Sequence, residues 1–311
     1  MRPPSFLAVA ATTLLFASTL VGALPDGEQA EVRDAAFVPP RLKPHKTKHQ
    51  DTKYFHEPGG NEVLGHYDIR YFNGQPVTDE QKVESLQYLI RSYLITFRER
   101  NIETWIAHGT LLGWWWNGKI MPWDWDLDTQ VSAATLTWLG ENMNMTMHNY
   151  TTVAEDGSEV HRDYLLDVNP NIVERVRGDG MNVIDARWID TSNGLFIDIT
   201  GLAETNPSSQ PGIWSCKNYH RYRTRDIYPL RETEFEGVPA LVPYSFDRVL
   251  TDEYSPRALT KTLHQGHRWH PEQKEWLPEP ANHITTHPHM PRSIQSSRKP
   301  KAGLRNLLNV L

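Results

Sequence analysis

The sequence predicts an α/β (α+β) fold, and three observations carry the prediction. A run of about twenty residues after Thr78 has helical apolar spacing. Short strand and helix patterns then alternate from residue 102 to 143. Farther on, two β-rich runs flank Ser192-Asn193-Gly194, a strong local turn signal.

Ahead of that domain, "MRPPSFLAVAATTLLFASTLVGAL" pairs one early arginine with an uncharged run from Ser5 to Leu24 and small residues Val21-Gly22-Ala23. This predicts a signal peptide over 1–23. The run is also about long enough to span a bilayer, so residues 5–24 could instead stay as a membrane anchor. Either reading sends the body into the secretory pathway, to the Golgi lumen, the cell surface or the medium. Residues 24–77, as in "FVPPRLKPHKTKHQ", are read as a stem or linker.

The helix from Thr78 has that residue as N-cap, acids in its first turn, and Val83, Leu86, Leu89, Ile90, Tyr93, Leu94 and Phe97 on one face. "IETWIAHGT" then reads as a strand ending in a small-residue turn, and "LLGWWWNG" as a helix closed by Gly118. "WDWDLDTQV" alternates as a strand. A helix over 132–143 and strands through Val168 follow. "ARWIDTSNGLFIDIT" is a hairpin, and "FEGVPALVPYSFDRVLTDEYS" a strand, a turn and a short helix. The domain is placed at 78–277, with a disordered tail over 278–311.

With 311 residues, 39% of them hydrophobic, the chain can bury one substantial core. A net charge of −6 gives no basic field for nucleic acid, which is excluded as a partner. Two sequons, at Asn144 and Asn149, fit a glycosylated lumenal chain. The lone Cys216 cannot form an intrachain disulfide and is read as a buried thiol.

On an uninterrupted strand Asp124, Asp126 and Asp128 project from one face, with Trp123, Trp125 and Leu127 on the other. Three neighbouring carboxylates repel unless a cation sits among them, and hard oxygen ligands suit Mg²⁺ or Mn²⁺. Gly109-Thr110, at a strand-to-helix junction, exposes backbone N–H groups suited to a phosphate. Six of the eleven tryptophans fall between 105 and 125. Trp115 and Trp116 are candidates for stacking on a sugar or base, the others for the core. His264, His267 and His270 have zinc-like spacing but lack a defined fourth ligand.

"HGTLLGWWWNGKIMPWDWDLD" resembles the signature of the LicD/fukutin family, and "GLFIDIT" and "FEGVPALVPYSFDRVLTDEYS" resemble its later elements. The resemblance covers roughly residues 80–260. The family's last element often reads Tyr-Gly, whereas Tyr254 is followed here by Ser255.

The resemblance implies a nucleotidyltransferase-like small mixed sheet flanked by helices. It also implies a phosphotransferase that moves a sugar phosphate or phospho-alcohol from a GDP- or CDP-linked donor to a glycan, with GDP-mannose the first expectation. By that analogy Asp126 and Asp128 hold the metal, with Asp124 as a further ligand or as support for the strand. Asp198 is a shared ligand or the base for the acceptor hydroxyl. Gly109 and Thr110 cradle the donor phosphate, and Lys119 and Arg187 are further phosphate candidates, each with an ordinary surface or ion-pair role as its alternative. His108 either assists a phosphate or caps the turn. Two rivals stay open: a GT-A type glycosyltransferase, which also uses Asp-x-Asp, and a non-catalytic accessory protein for a partner transferase.

Overall fold

The computed structural model describes residues 52–154 and 156–279. The segment read as a signal peptide, the linker up to residue 51 and the tail from 280 onward lie outside the described residues. Among those described, no helix is long and apolar enough to cross a membrane.

Helix α1, Asp79–Glu99, opens with a capping box: Gln81 N–H donates to the Thr78 hydroxyl, and Thr78 N–H to the Gln81 side chain. Leu86, Leu89, Ile90, Tyr93, Leu94 and Phe97 are buried as their spacing predicts. Val83 is not: it is 49% exposed, and Lys82 is buried in its stead. The loop before the second strand packs on that side, so Lys82 Nζ donates to the Pro122 carbonyl at 2.9 Å and lies 4.9 Å from the Trp125 ring.

Then come β1 (Trp105–Ile106), α2 (His108–Asn117), β2 (Leu127–Ser132), α3 (Ala133–Asn142), β3 (Thr146–Val153), β4 (Glu159–Val168), β5 (Ala186–Asp190) and β6 (Phe196–Glu204). These strands form a mixed sheet in the order β1-β2-β6-β5-β4-β3, in which β2 and β6 run parallel and the other pairs antiparallel. The predicted hairpin is β5 and β6, with Gly194 at φ 90 in its connection. Helix α1 packs on β5 and β6, and α3 on β2 and β6. The α+β reading therefore holds. The core between sheet and α1 is aromatic, and two of its indole N–H groups are satisfied: Trp188 Nε1 donates to Ser92 Oγ and Trp105 Nε1 to Gln130 Oε1, each at 3.0 Å.

The chain continues through β7 (Ile213–Ser215), β8 (Arg221–Arg223), α4 (Thr224–Ile227), the hairpin β9 (Arg231–Phe235) and β10 (Val238–Val242), α5 (Phe246–Tyr254), and a three-stranded sheet of β11 (Leu263–His264), β12 (His267–His270) and β13 (Glu275–Pro278). Ser255, where the motif it resembles often has glycine, adopts φ 74, the region that favours glycine.

The linker assigned to 24–77 ends earlier than its composition implies. Within 52–77, Phe55 and Tyr67 are buried, the Tyr67 hydroxyl accepts from Val77 N–H, and Tyr54 donates to Asp167 at 2.9 Å. Arg70 pairs with Asp68 and Asp167. These anchors are few and irregularly spaced, so no apolar period announces them.

Candidate functional site

The acidic stretch is a strand only in part. β2 begins at Leu127, and Asp124 to Asp126 form the loop that enters it after a turn in which Asp124 N–H donates to Met121 O. Pro122 and that turn break the pairing, so the predicted alternation fails before Leu127. Leu127 is buried as expected. Trp125 is half-buried against Tyr67, and Trp123 packs on His264, His267 and Trp276 rather than in the main core. The Asp124 carboxylate lies against Gly109, where a Cβ would come within 3.2 Å of its Oδ2. Glycine is what lets the acidic loop close on the start of α2.

Asp128 is fixed through its backbone. Its N–H donates to Thr110 Oγ1 at 2.8 Å, and its carbonyl accepts from Ala107 N–H at 3.0 Å. Thr110 thus positions the strand by accepting this bond, which leaves its own O–H hydrogen to donate elsewhere. Across the sheet, Asp128 is the register partner of Asp198, Asp198 of Arg187, and Arg187 of Asp167. Register partners project from one face, so four strands present a single charged row.

Within that row Arg187 donates through Nε to Asp198 Oδ1 at 2.8 Å and through Nη2 to Glu57 Oε1 at 2.7 Å. Its guanidinium lies 3.6 Å from the Phe196 ring centroid. The Asp126 carboxylate is about half exposed (49%), with His66 Nδ1 at 3.8 Å.

The acids feel one another. Burial, then the charge of Asp126, pushes Asp124 up to about 7 against the opposing pull of His66 and Lys82. Burial and Asp126 also hold Asp128 well above the usual carboxylate range, with Asp198 and Asp124 adding to the effect and His108 opposing it. Burial lifts Asp198 to about 6 although Arg187 pulls it down. Hard oxygens short of counter-charge are the donor set of a divalent cation site. Among the described residues, no three His, Cys, Asp or Glu side chains already converge on a metal-binding position.

A cavity of about 280 Å³ opens beside Asp126, Asp198 and Arg187. Its lining includes Lys53, Phe55, Glu57 and His66, all from the segment read as linker, together with Met181 and Ile184.

His108, first residue of α2 at φ 49, bonds through Nδ1 to Glu253 Oε2 at 2.8 Å. The other Glu253 oxygen accepts from the Tyr222 hydroxyl at 2.5 Å. Burial alone would pull the imidazole down, but the Glu253 hydrogen bond and the charges of Asp128, Glu253 and Asp126 outweigh it and lift it to about 9. His108 is thus a buried cation set toward the acidic row.

Sequence reasoning missed Glu253, Tyr222, Glu57, Lys53 and His66. Only Glu253 had a nearby signal, the adjacent Tyr254 of the Leu-x-x-x-Tyr element.

Several expected residues lie elsewhere. Lys119 pairs with Glu275 of β13 on the surface instead of reaching a phosphate position. Trp116 packs on Trp115, Trp269 and Trp276, and Trp115 packs on the core, so neither lines the cavity. His264 and His267 flank Trp123, and no zinc-type group forms with His270 among the described residues. Cys216 is buried, 3.4 Å from His220 Nδ1. Asn144 and Asn149 are both exposed, in the turn before edge strand β3 and within that strand.

Residues 101–245 match the family model described as LicD/FKTN/FKRP, nucleotidyltransferase domain. Two relatives from Saccharomyces cerevisiae are similar to the chain. Mannosyltransferase regulator 4 is 37% identical over 164 residues, which is 51% of this chain and 14% of the relative. Mannosyltransferase regulator 14 is 32% identical over 211 residues, 66% of this chain and 21% of the relative. The match thus spans less than a quarter of either curated relative's length.

Proposed function

We propose, from the match of residues 101–245 to the LicD family model, that the chain is a metal-dependent phosphotransferase of the secretory pathway. It moves a sugar phosphate or phospho-alcohol from a nucleotide-diphosphate donor, GDP-mannose first, to a glycan. The observation that carries the reading is the pair Asp128 and Asp198, side by side in parallel register and each with raised proton affinity, with Asp198 and Asp126 lining a cavity.

Asp126, Asp128 and Asp198 would hold Mg²⁺ or Mn²⁺, with Asp124 alongside. The ion supplies neutralisation of the charge on the transferred phosphoryl group. The remaining work falls to the chain's own side chains. Thr110 and Ala107 fix the Asp128 backbone, so that its carboxylate is set before substrate arrives. Arg187 orients Asp198, which serves either as a shared metal ligand or, if left off the ion, as the base that accepts the proton of an acceptor hydroxyl. His108 balances part of the negative charge from behind.

A second reading is favoured by the word "regulator" in both relatives' names: the chain assists a mannosyltransferase without transferring anything itself.

The test is product analysis on Asp126→Asn and Asp128→Asn. Each is expected to lower transfer by about 10²- to 10³-fold or more, with the protein still folded and secreted and the parent's product a phosphodiester. A plain glycosidic product would indicate a GT-A type glycosyltransferase. Undiminished cellular product from both variants would remove the enzyme reading and leave the accessory one.

A further inference from the structure

The cavity beside the acidic row contains two cations that share one carboxylate. Lys53 Nζ and Arg187 Nη2 both donate to Glu57, one to each oxygen. Arg187 also donates to Asp198 through Nε, and its Nη1 is buried without an acceptor. The Arg187 side chain is only 4% exposed and is gripped by Phe55 and Phe196, so the guanidinium stays in place. Glu57 belongs to no helix or strand, and its segment is tied down separately where Tyr54 and Arg70 meet Asp167.

A buried guanidinium N–H without an acceptor is costly. Glu57 occupies only one donor of the fork, whereas a tetrahedral phosphate brings several strong acceptor oxygens and can take two at once. We propose that Glu57 is an internal stand-in for a phosphate group. The cavity is a phosphate subsite in which the incoming anion displaces the Glu57 carboxylate, takes Arg187 as its principal partner and draws Lys53 with it. The segment 52–57, which lies outside the family-matched residues 101–245, thereby forms one wall of the substrate site. This deepens the phosphotransferase reading and rests on it for the identity of the natural ligand, a diphosphate-linked donor. The anion-binding claim concerns the residues alone.

The experiment is calorimetric titration of the purified full chain with inorganic pyrophosphate, once with Mg²⁺ and once in EDTA. Removing the competing carboxylate by Glu57→Gln is expected to tighten binding about 3- to 10-fold in both conditions, the size of one modest charge interaction. Lys53→Ala and Arg187→Lys are expected to weaken it by about 5-fold or more, the latter because an ammonium cannot reproduce the fork. Glu57→Gln that binds no tighter than the parent, while melting at the same temperature, overturns the proposal. So does a Lys53→Ala variant with parental affinity, which keeps the test decisive if Arg187→Lys fails to fold. A GDP arm separates the sources of the phosphate: GDP bound with the same variant pattern supports the donor diphosphate, and GDP that ignores Glu57→Gln counts against it. Failure of the two readings is distinguishable. Loss of the subsite pattern with transfer still dependent on Asp128 removes only this inference, whereas the pattern without any transferred product removes only the enzyme.

Discussion

Asp185 and Asp128 are aspartates of the same sheet region with opposite surroundings. Asp185 is completely buried and fully answered: Arg175 donates at 2.9 and 3.1 Å, Lys217 pairs at 3.0 Å and Gly201 N–H donates at 2.8 Å. Asp128 has its backbone clamped, but its carboxylate is surrounded by the charges of Asp126, Asp198 and Asp124, with His108 the opposing one. A buried acid with matched donors ties elements together, here the loop before β5 to β6 and to Lys217 in the turn after β7. An enclosed acid short of counter-charge costs the fold stability unless a cation answers it.

The comparison is broken most forcefully at Asp185. Asp185→Ala leaves Arg175 and the buried Lys217 facing each other unneutralised, and is expected to cost about 3–5 kcal/mol in denaturant unfolding. A loss near zero would mean that Asp185 is no more structural than Asp128.

A smaller effect sharpens the other side. Asp124 and Asp198 bind their protons more tightly folded than unfolded, at about 7 and about 6 against an ordinary 3.8. The stability they contribute is complete below about 4 and is lost as pH rises through those values. His108 acts with the same sign higher up, its contribution complete below 6.5 and lost through about 9. In EDTA the melting temperature is therefore expected to fall between pH 4.5 and 8, by the equivalent of about 1.4 kcal/mol for each pH unit over which one whole proton is released. Asp124→Asn should flatten that fall, and added Mn²⁺ should restore stability at pH 8. A melting temperature that rises steadily with pH would contradict the carboxylate assignment.

The smallest effect is expected at Lys119. Its pair with Glu275 is largely solvated, so Lys119→Ala should change stability by less than about 0.5 kcal/mol and leave transfer unchanged. A large drop in turnover would return this residue to the phosphate role that the sequence suggested for it.

Much of this was legible beforehand. The Thr78 cap, the apolar face of α1, the Gly118 stop of α2 and the β5–β6 hairpin all follow from interactions within a few residues of one another. Asp198 was singled out through its motif, and parallel register sets it beside Asp128. The wall of Lys53, Glu57 and His66 was not legible, because proline- and histidine-rich composition reads as linker whether or not Phe55 and Tyr67 later find a core. Nor was the alternation of the acidic stretch secure, since Pro122 and the following turn override a period of two.

By itself the sequence determined the helices, their caps, the hairpin and the concentration of acids, since spacing and short-range hydrogen bonds act locally. The folded chain decided which charge meets which: Arg187 with both Asp198 and Glu57, His108 with Glu253 at a separation of 145 residues, Lys119 with Glu275 instead of a phosphate position. Those partners are set by strand register and by the packing of distant segments, and electrostatic energy depends on final distance and enclosure, neither of which is a property of neighbours in sequence.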